Sequence, residues 1–567
     1  MKLRPQVSAR SPSAPCGSQV SVLLTAAVMA AVAASAAAQR QFEELGKRGL
    51  PAGRASTRST VLGDVDRDGD LDLVVGNWYQ QSRLYLNNGT GTFTDATATR
   101  MPVGNHPTSS LALGDVDRDG DLELVLGNYY QQDLLYLNNG TGTFTDATAS
   151  RMPIASDYTT SLALGDVDRD GDFDLVVGNQ GQQSRLYLNH GTGTFADATA
   201  SRIPVGVLNT YPLALGDVDG DGDLDLVVGN WQQQNCLYLN HGTGVFSDAT
   251  PSRMPVGNYP TTSLALGDVD LDGDLDLVVG LRWGGSLLYL NNGTGTFTNA
   301  TASRMPVSNA NASSLALGDV DGDGDPDLVV GNRWGQILLY LNSGTGTFTD
   351  ATTSRMPVGN YATTSLALGD VDGDGDLDLV VGNGGLSGSQ SRLYLNTGTG
   401  TFTDATASRM PVGNYGTTSL ALGDVDRDGD LDMVLGNGSI LGRQSRLFLN
   451  LLRQLDAPYV LHIGRNYQLD VYSRYGPTTT TETAFPVLST GTANIAFPPF
   501  GTIGIDLNHA IALPPFVVPQ PAGIGSLIIP VPNLSALVGT TIYTQTVLNQ
   551  QPVQVRLTNV IGDIILR

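Results

Sequence analysis

The chain of 567 residues holds only two cysteines, Cys16 and Cys236. Cys16 precedes an apolar N-terminal run and would leave with it, so Cys236 has no partner for an internal disulfide. Packing, or something other than sulfur, must hold the fold together. Basic residues are scarce, 31 against 55 acids for a formal charge of −24. That excludes the net basic face a nucleic-acid binder needs. Charged residues of both signs reach only 15% while hydrophobic ones make up 41%, which excludes a disordered acidic tail and a coil of Lys and Glu. Runs long enough to cross a bilayer are missing too. Val20 to Ala34, after Lys2, Arg4 and Arg10, is about 15 residues against the roughly 20 that a span needs. With the small residues Ser35-Ala36-Ala37-Ala38 before Gln39, it has the form of a signal peptide. Residues 1–38 are therefore expected to be removed, leaving a secreted, extracellular or cell-surface protein with no membrane span.

Glycine is abundant, 69 residues beside 28 prolines, which favours turn-rich β architecture. The reason is an internal repeat. The string beginning at Gly63, GDVDRDGDLDLVVGN, recurs with first aspartates at Asp64, Asp115, Asp166, Asp217, Asp268, Asp319, Asp370 and Asp424, in steps of 51 residues and then one of 54. A second marker, the Phe of GTFTDAT, keeps the same steps from Phe93 to Phe402. Within a unit, Leu111 to Gly114, Leu122 to Leu126, Leu135 to Leu137 and Phe144 to Thr148 read as four strands, a to d. A Gln and aromatic segment connects b to c, and a Gly-rich hairpin turn connects c to d. Four antiparallel strands per unit of this length make the blade of a β-propeller.

The ends predict how such a ring closes. Counting one repeat back from Phe93 gives Phe42, an isolated strand d, whereas the last unit stops after its third strand, Arg446 to Asn450. Pairing the two completes eight blades and avoids exposed sheet edges. The rival count, seven blades and a stray unit, leaves both ends unpaired. The expected division is a signal peptide over 1–38, an eight-bladed propeller over 39–451, and a small all-β accessory domain over 452–567. In that last part the repeat stops and Thr, Pro, Ile and Val dominate.

Each a-to-b loop reads D-x-D-x-D-G-D-x-D. The acids are Asp64, Asp66, Asp68, Asp70 and Asp72 in the first copy, then Asp115, Asp117, Asp119, Asp121 and Glu123, and Asp166, Asp168, Asp170, Asp172 and Asp174. The fourth and fifth copies hold Asp217, Asp219, Asp221, Asp223 and Asp225, and Asp268, Asp270, Asp272, Asp274 and Asp276. The last three hold Asp319, Asp321, Asp323, Asp325 and Asp327, then Asp370, Asp372, Asp374, Asp376 and Asp378, and Asp424, Asp426, Asp428, Asp430 and Asp432. Side chains at loop positions 1, 3, 5 and 9 with the carbonyl of position 7 are hard oxygen ligands, and Gly at 6 permits the sharp turn, as in an EF-hand loop without its helices. Aspartate favours turns anyway. Eight acidic copies point beyond that, because neighbouring carboxylates a few Å apart repel by roughly 3 to 4 kcal/mol at an effective dielectric of about 20. About eight structural Ca²⁺ ions are the expected cofactors. Pro326 in the sixth loop is expected to weaken that site.

With these residues in view, LALGDVDGDGDLDLVVGN at Leu213 resembles the FG-GAP or VCBS-type repeat, similar to the calcium-bearing blades of the integrin α-subunit propeller. The resemblance spans about residues 42 to 450 and implies calcium loops on one face and a role in adhesion or ligand recognition on the other. Integrin propellers have seven blades with calcium in only some, so the count here departs from that pattern. Similar repeats also occur in lectins and around polysaccharide-degrading enzymes.

The loops and c-to-d turns hardly vary between copies, whereas the opposite ends of the strands do. Trp78, Tyr79, Tyr129, Tyr130, Trp231, Trp283 and Trp334 lie in b-to-c segments, and His106, Tyr158, Tyr211, Tyr259, Tyr361 and Tyr415 in d-to-a segments. Such aromatics stack on sugars or anchor proteins, or merely plug a channel. The five His match no metal or nucleophile motif, so no enzyme is expected. The leading expectation is a secreted calcium-stabilised binding or adhesion module for an extracellular protein or glycan. A carbohydrate-binding lectin is the alternative, and a polysaccharide lyase or hydrolase the second alternative.

Overall fold

In the computed structural model the described residues are 41–44, 50, 55–384, 390–438 and 444–450, with the backbone of strands between 455 and 564. The expected leader, 1–38, lies outside them. Residues Arg40–Arg453 form one compact unit, and the chain from Gln454 onward belongs to another.

The first unit repeats one antiparallel four-stranded sheet. In the second copy strand a is His106–Gly114, b is Glu123–Gln131, c is Leu134–Leu137 and d is Thr145–Asp146. Strand b is buried on both sides because it is sandwiched between neighbouring copies. Leu124 and Leu126 pack with Val65 and Val74 of the preceding copy, while Val125 packs with Leu175 and Val177 of the following one. This accounts for the unbroken apolar run, where a strand wet on one face would alternate. The core therefore lies between copies. Gly114 ends strand a where a Cβ would come within 2.9 Å of Leu164 in the next copy. Such close approach is what glycine permits there.

Two expectations about element bounds need correction. Strand b continues through the segment read as the b-to-c connection, so Trp78 and Tyr79 lie in Asp72–Gln80, Tyr129 and Tyr130 in Glu123–Gln131, and Trp231 in Asp225–Gln233. Only Trp283 and Trp334 fall beyond their b strands, which end at Leu281 and Asn332. Pairing across copies causes the extension. Trp78 stands opposite Pro107, Tyr129 opposite Tyr158, Gln180 opposite Asn209 and Trp231 opposite Pro260, so in the first four copies strand b bonds to the start of the next a strand. Strand d, in turn, is only two residues long and a single helical turn follows, Thr148–Arg151 in the second copy. Asp146 Oδ1 accepts the Thr148 N–H at 2.9 Å, and Leu135 N–H donates to Thr148 Oγ1 at 3.0 Å. A one-turn helix leaves no periodic signature in sequence.

The chain ends of the unit meet as the repeat count predicts. Phe42–Glu44 pairs antiparallel with Arg446–Asn450, Phe42 opposite Asn450, and Phe42 is fully buried beside Phe448. Tyr415 Oη donates to Glu44 Oε2 at 2.8 Å. First and last copies also touch through Thr60 and Ser419, 2.8 Å apart, and through Thr418 Oγ1 donating to Thr57 O at 2.7 Å. The architecture is all-β with repeated four-stranded sheets, consistent with a β-propeller.

In the second unit, antiparallel pairs join Asn466–Tyr472 to Ile524–Pro530 and Glu482–Ser489 to Thr541–Gln550. Strands Gln554–Leu557 and Ile561–Ile564 both pair with Thr541–Gln550. No helix among the described residues is long and apolar enough to cross a membrane.

Candidate metal centres and the opposite face

Each acidic loop folds around its own carboxylates. Position 9 ties both ends of the loop down: Asp72, with no exposed surface, accepts Val65 N–H through Oδ2 at 3.0 Å and Asn87 N–H through Oδ1 at 2.8 Å. Asp174, Asp225, Asp276, Asp327 and Asp378 repeat both bonds. Asp64 Oδ2 accepts Gly69 N–H at 2.9 Å and Asp68 Oδ1 accepts Asp70 N–H at 2.9 Å, closing the turn. Gly69 sits at φ +87°, and position 4 is also left-handed, with Arg67, Arg118, Arg169, Leu271 and Arg427 near +59° and Gly220, Gly322 and Gly373 near +75°. Only glycine adopts such angles without strain.

This folding converges carboxylates. Ligand atoms of Asp64, Asp66 and Asp72 lie within 4.8 Å of one another, as do those of Asp115, Asp117 and Asp119, of Asp166, Asp168 and Asp174, and of Asp217, Asp219 and Asp225. Several of the converging oxygens are buried without a hydrogen-bond partner: Oδ1 of Asp64, Asp66, Asp115, Asp117, Asp166 and Asp168, and Oδ1 of Asp219, Asp270, Asp321 and Asp372. Burial first, then the charge of the position-5 neighbour, pushes Asp66, Asp117, Asp168, Asp219, Asp270 and Asp321 above the usual carboxylate range. Burial pushes Asp72, Asp174, Asp225 and Asp378 up to about 7, and Glu123 up to about 8. Buried oxygens that repel and lack donors are what a hard cation satisfies. The donor set fits calcium.

Position 7 differs from the rest. Asp70 turns its carboxylate toward the c-to-d turn, where a Cβ on Gly89 would meet it at 2.6 Å, and pairs with Arg427 at 2.5 Å. Arg67 likewise pairs with Asp121 at 2.5 Å, Arg118 with Asp172, and Arg169 with Asp223, each reaching from position 4 of one loop to position 7 of the next. This leaves the position-7 carbonyl, the atom expected from the sequence, for a cation. The repeated Arg after strand d also bridges copies, with Arg151 donating to Thr192 O and lying 3.5 Å from Asp117. Pro326 contributes through its carbonyl, which accepts Asn342 Nδ2–H at 3.1 Å, and Asp327 keeps both its bonds. The sixth loop is thus folded like the others. His190, one of the five His that match no motif, stands with its Nδ1 3.3 Å from Asp170 and joins Asp168 and Asp170 in one cluster.

The opposite ends of the b strands carry the aromatics. Trp78 and Tyr129 have ring centroids 5.5 Å apart, Tyr129 and Tyr158 5.3 Å, Tyr211 and Trp231 5.5 Å, and Trp231 and Trp283 5.7 Å. Tyr79, Tyr130, Trp283 and Trp334 are exposed, the last by 62%. The aromatic list missed polar members of this row. Stepping one repeat at a time from Trp78 gives Tyr129, Gln180, Trp231, Arg282, Arg333, Gly384 and Gly438. The N–H groups of Trp78, Arg282, Arg333, Gly384 and Gly438 bond to equivalent strand-a carbonyls, which confirms the shared register. That same step would have found Gln180, Arg282 and Arg333 in the sequence.

A family model for the FG-GAP-like repeat matches residues 64–126, 115–177, 166–228, 217–279, 268–330, 319–381 and 382–435. The chain is similar to cartilage acidic protein 1 of Xenopus tropicalis, 27% identical over 183 residues, covering 30% of this chain and 28% of that protein. It is also similar to integrin alpha pat-2 of Caenorhabditis briggsae, 25% identical over 233 residues, 32% of this chain and 18% of that one. The match thus spans less than a third of either relative. Among solved structures, Sqt1 of Saccharomyces cerevisiae aligns with a TM-score of 0.48 at 16% identity, covering 72% of this chain and 97% of that one.

Proposed function

The chain belongs to the FG-GAP-like repeat family, related to cartilage acidic protein 1 and to the integrin α N-terminal region, and its acidic clusters are typical of the calcium loops of that family. From that premise we propose a secreted, calcium-stabilised eight-bladed propeller that binds an extracellular partner, without turnover, through the face opposite the loops. Closure with eight blades is supported by the pairing of Phe42–Glu44 with Arg446–Asn450 and by Arg427 reaching Asp70 from the eighth loop to the first. In each loop the side chains of positions 1, 3, 5 and 9 and the carbonyl of position 7 would hold one Ca²⁺. The ion would neutralise the converging carboxylates and lock the loop.

The observation that carries the binding role is the row of exposed aromatics, Tyr79, Tyr130, Trp283 and Trp334, at the strand ends remote from the loops. Large rings held at a surface by neighbouring rings and guanidinium groups make ready contact area at little entropic cost. Secretion rests on the leader-like residues 1–38. The test is an adhesion assay on extracellular-matrix and cell-wall surfaces with the purified mature protein in calcium. Alanine at Trp283 and Trp334 should abolish retention while Arg67→Ala leaves it intact. Equal loss from both variants, or from neither, would refute the assignment of the binding face.

A further inference from the structure

The register running from Trp78 through Gly438 is not uniform: aromatic in copies one, two and four, amide in three, guanidinium in five and six, and bare in seven and eight. Trp78 touches Tyr129, Tyr129 touches Gln180, and Trp231 touches Arg282. Tyr129 Oη donates to Gln180 Oε1 at 2.5 Å, and Gln180 Nε2 donates to Tyr211 Oη at 3.1 Å. The Arg282 guanidinium lies 5.2 Å from the Trp231 ring, 5.3 Å from Trp283 and 5.8 Å from Trp334, and that of Arg333 lies 5.8 Å from Trp334. Arg58 stands 5.1 Å over Trp78. Arg58 still reaches solvent, yet the protein packed around it, and then the Arg333 charge, hold its guanidinium below the usual value.

Among the described residues none of Arg58, Arg282 and Arg333 forms an ion pair, in contrast to Arg67, Arg118, Arg169 and Arg427 on the other face. Arg282 Nε is moreover buried without a hydrogen-bond partner. Arg58 and Arg333 are exposed and Arg282 is half-buried. Arg282 and Arg333 flank the same Trp334 ring and Arg333 repels Arg58, and an anion would relieve that repulsion. The chain's charge of −24 makes this local excess of positive charge the more specific. No aliphatic side chain occurs in the register itself, which offers ring faces, one amide and cations. Gly384 and Gly438 leave one side of it low, and a Cβ on Gly438 would meet Thr57 O at 2.5 Å.

We infer that this register binds an acidic polysaccharide, with its carboxylate or sulfate groups on Arg282, Arg333 and Arg58 and its sugar rings over Trp283, Trp334 and Trp231. The inference rests on the binding face proposed above and names its ligand. Aromatic faces take the apolar side of a pyranose, and side-chain amides such as Gln180 take its hydroxyls. The spread over six neighbouring copies suits a chain of sugars more than a single acidic side chain.

Calorimetric titration of the mature protein in saturating calcium tests this, with polygalacturonate, chondroitin sulfate, neutral dextran and poly-L-glutamate as probes. Polygalacturonate and chondroitin sulfate separate carboxylate from sulfate as the recognised group, and at least one should bind while dextran does not. The R282A/R333A double variant should bind that polysaccharide at least about ten-fold more weakly, as loss of two charge-assisted contacts implies, at unchanged melting temperature. W283A/W334A should weaken it too, and R67A should not. Dextran binding as well as the acidic polymers, or unaltered binding by R282A/R333A, would overturn the inference. Poly-L-glutamate binding lost in R282A/R333A, without polysaccharide binding, would overturn the glycan and keep the face. Indifference of every probe to every substitution here would overturn both.

Discussion

The two ends of the strands in the repeated unit follow opposite rules. At one end every copy presents an acid at the same five positions, Glu123 being the single change from Asp, and at position 9 Asp72, Asp174 and Asp378 make the same two bonds. At the other end one register runs through Trp, Tyr, Gln, Arg and Gly. The same strand b leads to both, with its position-9 acid at one end and, in or just past the other, Trp78, Arg282 or Gly384. A need shared by every copy holds the first end uniform, because each loop must satisfy its own buried carboxylates. The second end lies beyond that constraint and is where a ligand can be recognised.

Removing calcium should break this contrast most severely. A site held at ten times its dissociation constant contributes RT ln 11, about 1.4 kcal/mol, so eight such sites contribute on the order of 11 kcal/mol, comparable with the stability of a whole domain. Chelation should therefore lower the melting temperature steeply in a thermal scan and sharply raise protease sensitivity. Next in size is Asp225→Ala in calcium. It strips the acceptor from the buried N–H groups of Val218 and Asn240 and should cost about 3 kcal/mol or more in denaturant titration. Trp283→Ala, by contrast, should leave stability within about 0.5 kcal/mol, since the side chain is exposed.

A third test concerns a carboxyl outside the loops. Asp133 is buried, accepts Asn128 N–H at 2.7 Å and Thr159 Oγ1–H at 3.1 Å, and is pushed by burial up to about 7, with Asp157 raising it further and Arg185 opposing. An unfolded Asp titrates near 3.9. The folded state therefore holds this proton more tightly, and the group's contribution to stability declines as the pH rises from about 4 to about 7. Asn235 makes the same two bonds in the fourth copy, at 2.8 Å each. Asp133→Asn should thus gain stability over the parent at pH 8 and lose most of that advantage by pH 5, read as the difference in melting temperature. A small effect is also expected of Arg427→Ala. Its pair with Asp70 is half exposed on the Arg side, so the loss should be about 0.5 to 1 kcal/mol and should shrink in high salt.

Much of the repeated unit was legible in sequence because repetition amplifies a weak signal. The four-strand unit and the partner of Phe42 followed from counting, and so did the acids that converge. Less legible was whatever depends on neighbouring copies. The b strands run on through Trp78 and Tyr129 because the next copy supplies backbone partners, which no local pattern encodes. Strand d shrank to two residues because Thr148 begins a helical turn fixed by Asp146. Arg282 and Arg333 carry no aromatic signal, although they occupy the register of Trp78. His190 matches no motif, yet the c-to-d turn brings it to Asp170.

The most direct test of the account is the calcium content of the purified mature protein, measured by elemental analysis after equilibration in millimolar calcium, with its melting temperature before and after chelation. The account predicts about eight ions per chain and a large fall in melting temperature when they are withdrawn. Fewer than one ion per chain, with a melting temperature indifferent to chelator, would contradict it.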